Sequence, residues 1–250
     1  MDRGPERFET SLPHGEWFAT TQWSVVVQAG ENSSAAATGA LEELCKAYWR
    51  PLYCYARKRG HSPHDAEDLT QEFFSGLVAD NYLHRAEREK GRFRSYILAA
   101  FRNFLSDQFD RSNAAKRGGK ASFVSLNAEE AEGLLEREAS LQMSPEQTFD
   151  NQWVIAILER SLLRLRDEYA GSGRSELFAQ IKPFLTENTP SGGYTNLAAA
   201  LSVSPNSVAV AVHRMRQRYR EIVRLEIAAT VTSVDDLENE MKILLFAAQR

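Results

Sequence analysis

Only two of the 250 residues are cysteine. If Cys45 and Cys54 share a helix they lie about 13 Å apart at a rise of about 1.5 Å per residue, too far for a disulfide. Buried free thiols are expected. Nor does a metal site suggest itself: His61 and His64 stand near Cys54, but no second ligand pair follows at zinc spacing. No metal or other cofactor is expected. Long apolar runs are missing as well. "WSVVVQAG" and "ILLFAA" fall far short of the ~20 residues a bilayer span needs, and the opening "MDRGPERFETSLPHGEW" lacks the apolar stretch of a signal peptide. These absences point to a soluble, cytoplasmic chain with no membrane partner. Strand-like alternation is confined to "SFVSL" at 122–126. No nucleophile motif, phosphate-binding loop or zinc signature appears, so no catalytic activity is expected.

At 43% hydrophobic and 26% charged residues, the composition is that of a globular chain. The formal net charge of −4 hides an uneven distribution. Between Arg85 and Lys120 ten Lys/Arg stand against four Asp/Glu, and between Pro205 and Arg224 five Arg stand against one Glu. From Asn127 to Asp150 there are seven acids and one Arg. Two basic segments separated by an acidic one suggest a polyanion gripped at two places, although solvated helix faces give the same counts.

Helical periodicity runs through almost the whole chain. Thr20 or Thr21 can cap a short first helix carrying Trp23 and Val26. The segment "ALEELCKAYWRPLYCYARKRG" places Leu41, Leu44, Tyr48, Leu52 and Tyr55 on one face, with Pro51 as a candidate kink and Gly60 as the stop. In "SPHDAEDLTQEFFSGLV" Ser62 is the N-cap, Pro63 takes the first helical position and Asp65 lies three residues after the cap. Leu69, Phe73 and Leu77, with Ala66, form its buried stripe. Asp65, Asp68 and Glu72 form a separate acidic stripe, with Gln71 and Phe74 off the core face. In "FRSYILAAFRNFLSDQFDR" Phe93, Ile97, Phe101 and Phe104 or Leu105 recur at helical spacing. The acidic stretch is the best linker candidate, although parts of it can be helical. An amphipathic helix opens the second half at "QWVIAILERSLLRLRDEYAG", and shorter helices follow at "SELFAQIKPFL" and "TNLAAAL". Ser204 and Pro205 start a long helix with Val208, Val212, Met215, Tyr219 and Ile222 on one face. A last helix carries Leu237, Met241, Leu244, Leu245 and Ala248.

Three features carry functional information. The pair "TNLAAAL" and "PNSVAVAVHRMRQRYRE", joined by a short turn, has a helix-turn-helix pattern. In that motif the start of the second helix faces base edges. The candidates are Asn206, Ser207, Ala209, Val210 and His213, with Arg214, Arg216, Arg218 and Arg220 along exposed faces to reach phosphates. The 85–120 segment interleaves arginines with Phe93, Tyr96, Phe101 and Phe104, a composition suited to single-stranded nucleic acid as well as to a charged-rimmed core helix. The acidic stripe of Asp68 and Glu72 is more simply a surface than an active site, because acid–base and metal chemistry need convergent groups in a cleft.

The order of "DAEDLTQEFF", "GRFRSYILAAFRNFLSDQFDR" and "NLAAALSVSPNSVAVAVHRMRQRYRE" resembles the sigma-70 family of RNA polymerase sigma factors, specifically the small extracytoplasmic-function type. The resemblance covers roughly residues 40–117 and 150–222. It implies an all-α chain of two helical domains joined by an acidic linker: an N-terminal extension at 1–35, a region-2-like domain at 36–120, a linker at 121–150, a region-4-like helix-turn-helix domain at 151–225 and a C-terminal helical extension at 226–250. It further implies that Asp68, Gln71, Glu72 and Phe74 dock on the clamp of the largest subunit of core RNA polymerase. Arg92, Arg94, Tyr96, Arg102, Asn103, Asp107 and Arg111 fall on or near the side that melts and reads the −10 element. The resemblance also implies that the helix-turn-helix reads the −35 element of promoter DNA and that an anti-sigma factor is a further partner.

Two departures stand out. The family commonly has a glycine near Asn206 and a lysine at the place of Ala209, and the missing lysine removes one DNA contact. The tail from Glu226 exceeds the minimal pattern, and its amphipathic helix is expected to pack against the C-terminal domain and regulate it. Two alternatives remain: a helix-turn-helix regulator that never joins polymerase, and an all-α interaction protein.

Overall fold

Ser62 stops the chain from fraying at the start of the helix that follows it. Its hydroxyl accepts from the Asp65 N–H at 3.1 Å and donates to the Asp65 carboxylate at 2.7 Å, which satisfies an orphan donor of the first turn. The same chemistry recurs along the chain. Ser144 accepts from the Gln147 N–H at 3.1 Å while the Gln147 side chain accepts from the Ser144 N–H at 2.9 Å, a full capping box followed by Pro145. Ser204, with extended backbone, accepts from the Ser207 N–H at 3.1 Å ahead of Pro205. Ser233 does the same for Asp236.

A computed structural model of the protein describes residues 35–79, 92–114, 128–137, 142–185, 193–231 and 233–247. These hold nine α-helices and no strand: α1 (Ala35–Lys58), α2 (Pro63–Ala79), α3 (Phe93–Ala114), α4 (Ala128–Arg137), α5 (Pro145–Gly171), α6 (Ser175–Ile181), α7 (Gly193–Leu201), α8 (Pro205–Ala228) and α9 (Val234–Ala247). A 3-10 turn at Lys182–Leu185 follows α6. The fold is all-α. The short helix expected at Thr20 or Thr21, the "SFVSL" segment and Ala248 lie outside the described residues. Helix α1 runs through Pro51 as one element, and the chain leaves it at Gly60, whose φ of 96° suits glycine. The acidic stretch 127–150 contains α4 and the first turns of α5.

Two cores form, and α5 runs through both. In the first, Tyr48, Leu52 and Tyr55 of α1 meet Ala66, Phe73 and Leu77 of α2, Phe93, Ile97, Phe101 and Leu105 of α3, and Phe149, Trp153 and Ile157 of α5. Aromatic rings tie these helices edge to face. Phe73 lies 5.0 Å from Phe101 and Tyr48 lies 5.1 Å from Phe93, contacts worth about 0.5–1.5 kcal/mol each beyond their area. Val223, Ile227, Ala228 and Val231 at the end of α8, with Leu237 and Leu244 of α9, complete this core. In the second, Leu165 of α5 packs with Phe178, Ile181, Ala198, Val208, Val212, Met215 and Ile222. Tyr219 borders both cores and donates its hydroxyl to the Leu158 carbonyl at 3.0 Å. Burial, with Glu159 adding to it, pushes that hydroxyl's pKa up to about 12.

The tail helix α9 packs against α8 and α5. Leu237 and Leu244 are buried as its stripe requires, whereas Leu245 is exposed. Among the described residues no single helix is long and apolar enough to cross a membrane. Trp153 is 1% exposed at the centre of the first core, so Trp153→Ala is expected to cost about 3–5 kcal/mol. A shift of that size in the urea unfolding curve checks it; a loss under about 1 kcal/mol would remove Trp153 from the packing argument.

Candidate functional site

Three surfaces contain the residues singled out from the sequence. The first is α2. Asp68 and Glu72 are exposed and Gln71 is half-buried. His64 approaches Asp68 at 3.6 Å across one turn, Gln71 donates to Glu67 at 3.4 Å, and Glu72 accepts from Gln108 of α3. The acidic face is therefore held beside α3 while its carboxylates stay at the surface. Phe74 is not part of that face. It is 5% exposed and packs 5.6 Å from Phe73, which corrects its placement off the core. Ala66, Thr70, Phe73, Phe74 and Leu77 are all buried. Their steps of 4, 3, 1 and 3 make a broad arc, as expected of a helix covered on two sides. Thr70 tolerates this because its hydroxyl donates to the Ala66 carbonyl at 2.7 Å.

The second surface is α3. Arg102, Asn103 and Asp107 share an exposed face, and Tyr96 is half-buried. Arg111 lies in the last turn, and its side chain is outside the described residues. At the other end Arg94 is not on the open face. It is 6% exposed, and this too is a correction. Its guanidinium lies 4.8 Å over the Trp153 ring. One of its nitrogens donates to Asp150, another donates to Glu240 at 3.2 Å, and its Nε lies 3.1 Å from the second Glu240 oxygen. Burial works to lower the Arg94 pKa, but Glu240 and Asp150 outweigh it and the pKa rises. Arg92, half-exposed, reaches the same Glu240 at 3.1 Å. The Phe93 N–H, an orphan donor of the first turn, donates to the Thr230 carbonyl at 3.1 Å.

The third surface is the α7–α8 pair. The two helices meet at 105°, within the range of a helix-turn-helix. The turn passes through Ser202, whose φ of 55° is left-handed. Asn206, Ser207, Val210, His213 and Arg214 lie exposed along one face of α8, with Ala209 half-buried beside them. Arg216 donates to the Phe184 carbonyl at 2.8 Å, which anchors the 3-10 turn. Arg218 stays partly open to solvent but is engaged by carboxylates. It grips Glu168 of α5 in a bidentate pair at 2.8 and 2.7 Å and also meets Glu221 at 3.0 Å. These pairs tie α8 to α5 through Arg218. Those hydrogen bonds hold the Arg218 pKa up and the Glu168 pKa below the usual carboxylate range.

Sequence reasoning missed two carboxylates. Glu132 of α4 accepts from Arg57 at 2.6 and 3.0 Å and from the Tyr53 hydroxyl at 2.7 Å, docking the acidic stretch onto α1. Nothing local signals that pairing. Glu240 is 1% exposed, and here a signal existed. It falls three residues after Leu237 and four before Leu244, inside the apolar stripe, where a carboxylate needs a cation. Among the described residues no group of three or more His, Cys, Asp or Glu is placed to hold a metal ion.

Residues 44–114 match the family model described as Sigma-70 region 2. The match begins at Leu44 in α1 and ends with α3, so the acidic face and the Arg102 face both fall inside it. The match covers less than half of the 250 residues. No curated protein and no solved structure matches the chain.

Arg57, and then Tyr53, hold the Glu132 carboxyl below its ordinary range, against the opposing effect of burial. A depressed folded pKa adds stability above the unfolded value of about 4.3 and loses it as pH falls through the folded pKa. Acid titration of unfolding free energy is expected to show a steeper loss below about pH 4.3 in the wild type than in Glu132→Gln. Parallel curves would remove Glu132 from the acid response.

Proposed function

We propose that the protein is a sigma factor of the small extracytoplasmic-function type, which binds core RNA polymerase and directs promoter recognition and melting. The carrying observation is the region 2 match laid over a helix pair with two distinct open faces, one acidic on α2 and one with Arg102 on α3. The assigned division of labour is a region-2-like unit at 36–120, a linker at 121–150 and a −35-reading unit at 151–225.

In this assignment Asp68, Glu72 and Gln71 form the contact for the polymerase clamp. An exposed charged rim suits a partner that brings complementary basic residues, and it sets association rate and specificity more than raw affinity. Phe74 supports this face from below. On α3, Arg102, Asn103 and Asp107, with Arg92, Tyr96 and Arg111 in the same segment, form the −10 side. Capturing unpaired bases there offsets an unstacking cost of a few kcal/mol per base. On α8, Asn206, Ser207, Val210, His213 and Arg214 enter the major groove, Ala209 faces the thymine methyl or backbone, and Arg216 stands behind them. Two weak DNA contacts on one chain reinforce each other only when both are held in register, which polymerase supplies. An anti-sigma partner fits the same acidic and DNA-facing surfaces. The acidic face also separates this assignment from a regulator that never joins polymerase, which has no use for it.

The Asp68→Lys/Glu72→Lys double variant is expected to keep its helical circular dichroism and lose core-polymerase binding in pull-down. Normal binding by the folded variant would sink the docking assignment. Arg102→Ala is expected to reduce open-complex formation, read by permanganate footprinting, more than closed-complex binding. Equal losses in both would remove the melting role of α3.

A further inference from the structure

Glu240 is out of place in its own helix. Positions 237, 240, 241 and 244 form one stripe of α9, and a leucine at 240 would complete it. A buried ion pair is seldom worth more than an apolar replacement of similar volume, because each charge loses its water. Stability alone therefore does not account for a carboxylate that is 1% exposed. Its partners do point to a role. At the start of α3, its Oε1 accepts from Arg94 at 3.2 Å and lies 3.1 Å from Arg92, and its Oε2 lies 3.1 Å from the Arg94 Nε. Thr230, in the turn leading to α9, occupies the Phe93 N–H of the same turn. The end of the chain thus places a carboxylate and a carbonyl on the donors that a nucleic-acid phosphate would use.

We propose that α9 is a built-in competitor for DNA, with Glu240 occupying the place of a phosphate on Arg92 and Arg94 until a nucleic acid strand displaces it. This rests on the assignment of Arg92 to the DNA side of α3. The helix suits the task. Among the described residues its buried apolar side chains are Leu237 and Leu244, whereas α5 buries six apolar side chains along its length. An element held by so few buried side chains belongs to the part of a fold that opens first. Opening it releases Arg92 from Glu240 and frees one side of Arg94, while Asp150 and Trp153 keep Arg94 positioned. The charge balance is simple: one carboxylate leaves and one phosphate takes its place.

The test uses the full chain without polymerase, with a fluorescent single-stranded DNA oligonucleotide read by anisotropy and amide exchange read in α9. Glu240→Gln is expected to bind the oligonucleotide roughly tenfold tighter than wild type, a usual size for coupling between two sites. Its salt slope should steepen by about 0.7, the release expected for one added phosphate contact on a single strand. Exchange in α9 should accelerate. Arg92→Gln breaks the same contact from the half-exposed side, where loss of fold is less of a concern. It should also accelerate α9 exchange, yet weaken the oligonucleotide. That opposite movement of exchange and affinity is what a competitor requires. If both variants loosen α9 and neither gains affinity, or if no form binds the oligonucleotide, Glu240 is a structural charge and the proposal is overturned. Core binding and run-off transcription by wild type are measured in parallel. Their failure sinks the sigma-factor assignment, while the anisotropy still decides the competitor.

Discussion

The packing of α5 against α1 is the constraint on which the rest of the structure depends. Helix α5 is 27 residues long, or about 40 Å at 1.5 Å per residue. Its first turns bury Phe149 and Trp153 among the residues of α1 and α3, and its later turns bury Leu165 among those of α7 and α8. The two cores are thus not beads on a flexible string in this form of the molecule. They share a rigid member, and Tyr219 bonds across the point where the two cores meet. Any rearrangement that spread the two cores apart would have to expose Trp153 or break α5 itself.

Electrostatics complete what the apolar packing begins. Three carboxylates hold arginines that a simple helical wheel would leave in solvent: Glu132 holds Arg57, Glu168 holds Arg218, and Glu240 holds Arg92 and Arg94. Each pair joins elements far apart in the chain. The acidic stretch lies on α1, α8 is tied to α5, and the tail is tied to α3. The net effect is that several positive charges of the arginine-rich segments are matched internally, while Arg102 and Arg214 remain on open faces.

How much of this was legible follows the range of the interaction. Caps and stripes are local, so Ser62, Ser204 and the series Val208, Val212, Met215, Ile222 could be read directly. The box at Ser144 and Gln147 was equally local, although the stretch read as linker hid it. Phe74 was misplaced because the width of a buried arc depends on how many neighbours cover the helix, which α2 alone does not disclose. Arg94 was misplaced for a related reason. Its partners lie 56 and 146 residues away, and nothing within a few turns of it marks the position as interior. Arg218 likewise answers to α5, not to the spacing of the arginines around it. Periodicity reports which face of a helix is apolar. It does not report which charged face another element will claim.

The carboxylate inside the apolar stripe of α9 also bears on how the chain finds its final arrangement. An amphipathic helix with a clean stripe fits almost any greasy groove, including the wrong one or that of a neighbouring molecule. A stripe with a single negative charge in it is refused by every apolar surface that cannot answer that charge. For α9 the answer is the pair Arg92 and Arg94, and that site exists only once α3 and α5 have come together. Glu240 therefore works as an address label: it directs the last helix to one berth and keeps it from the others.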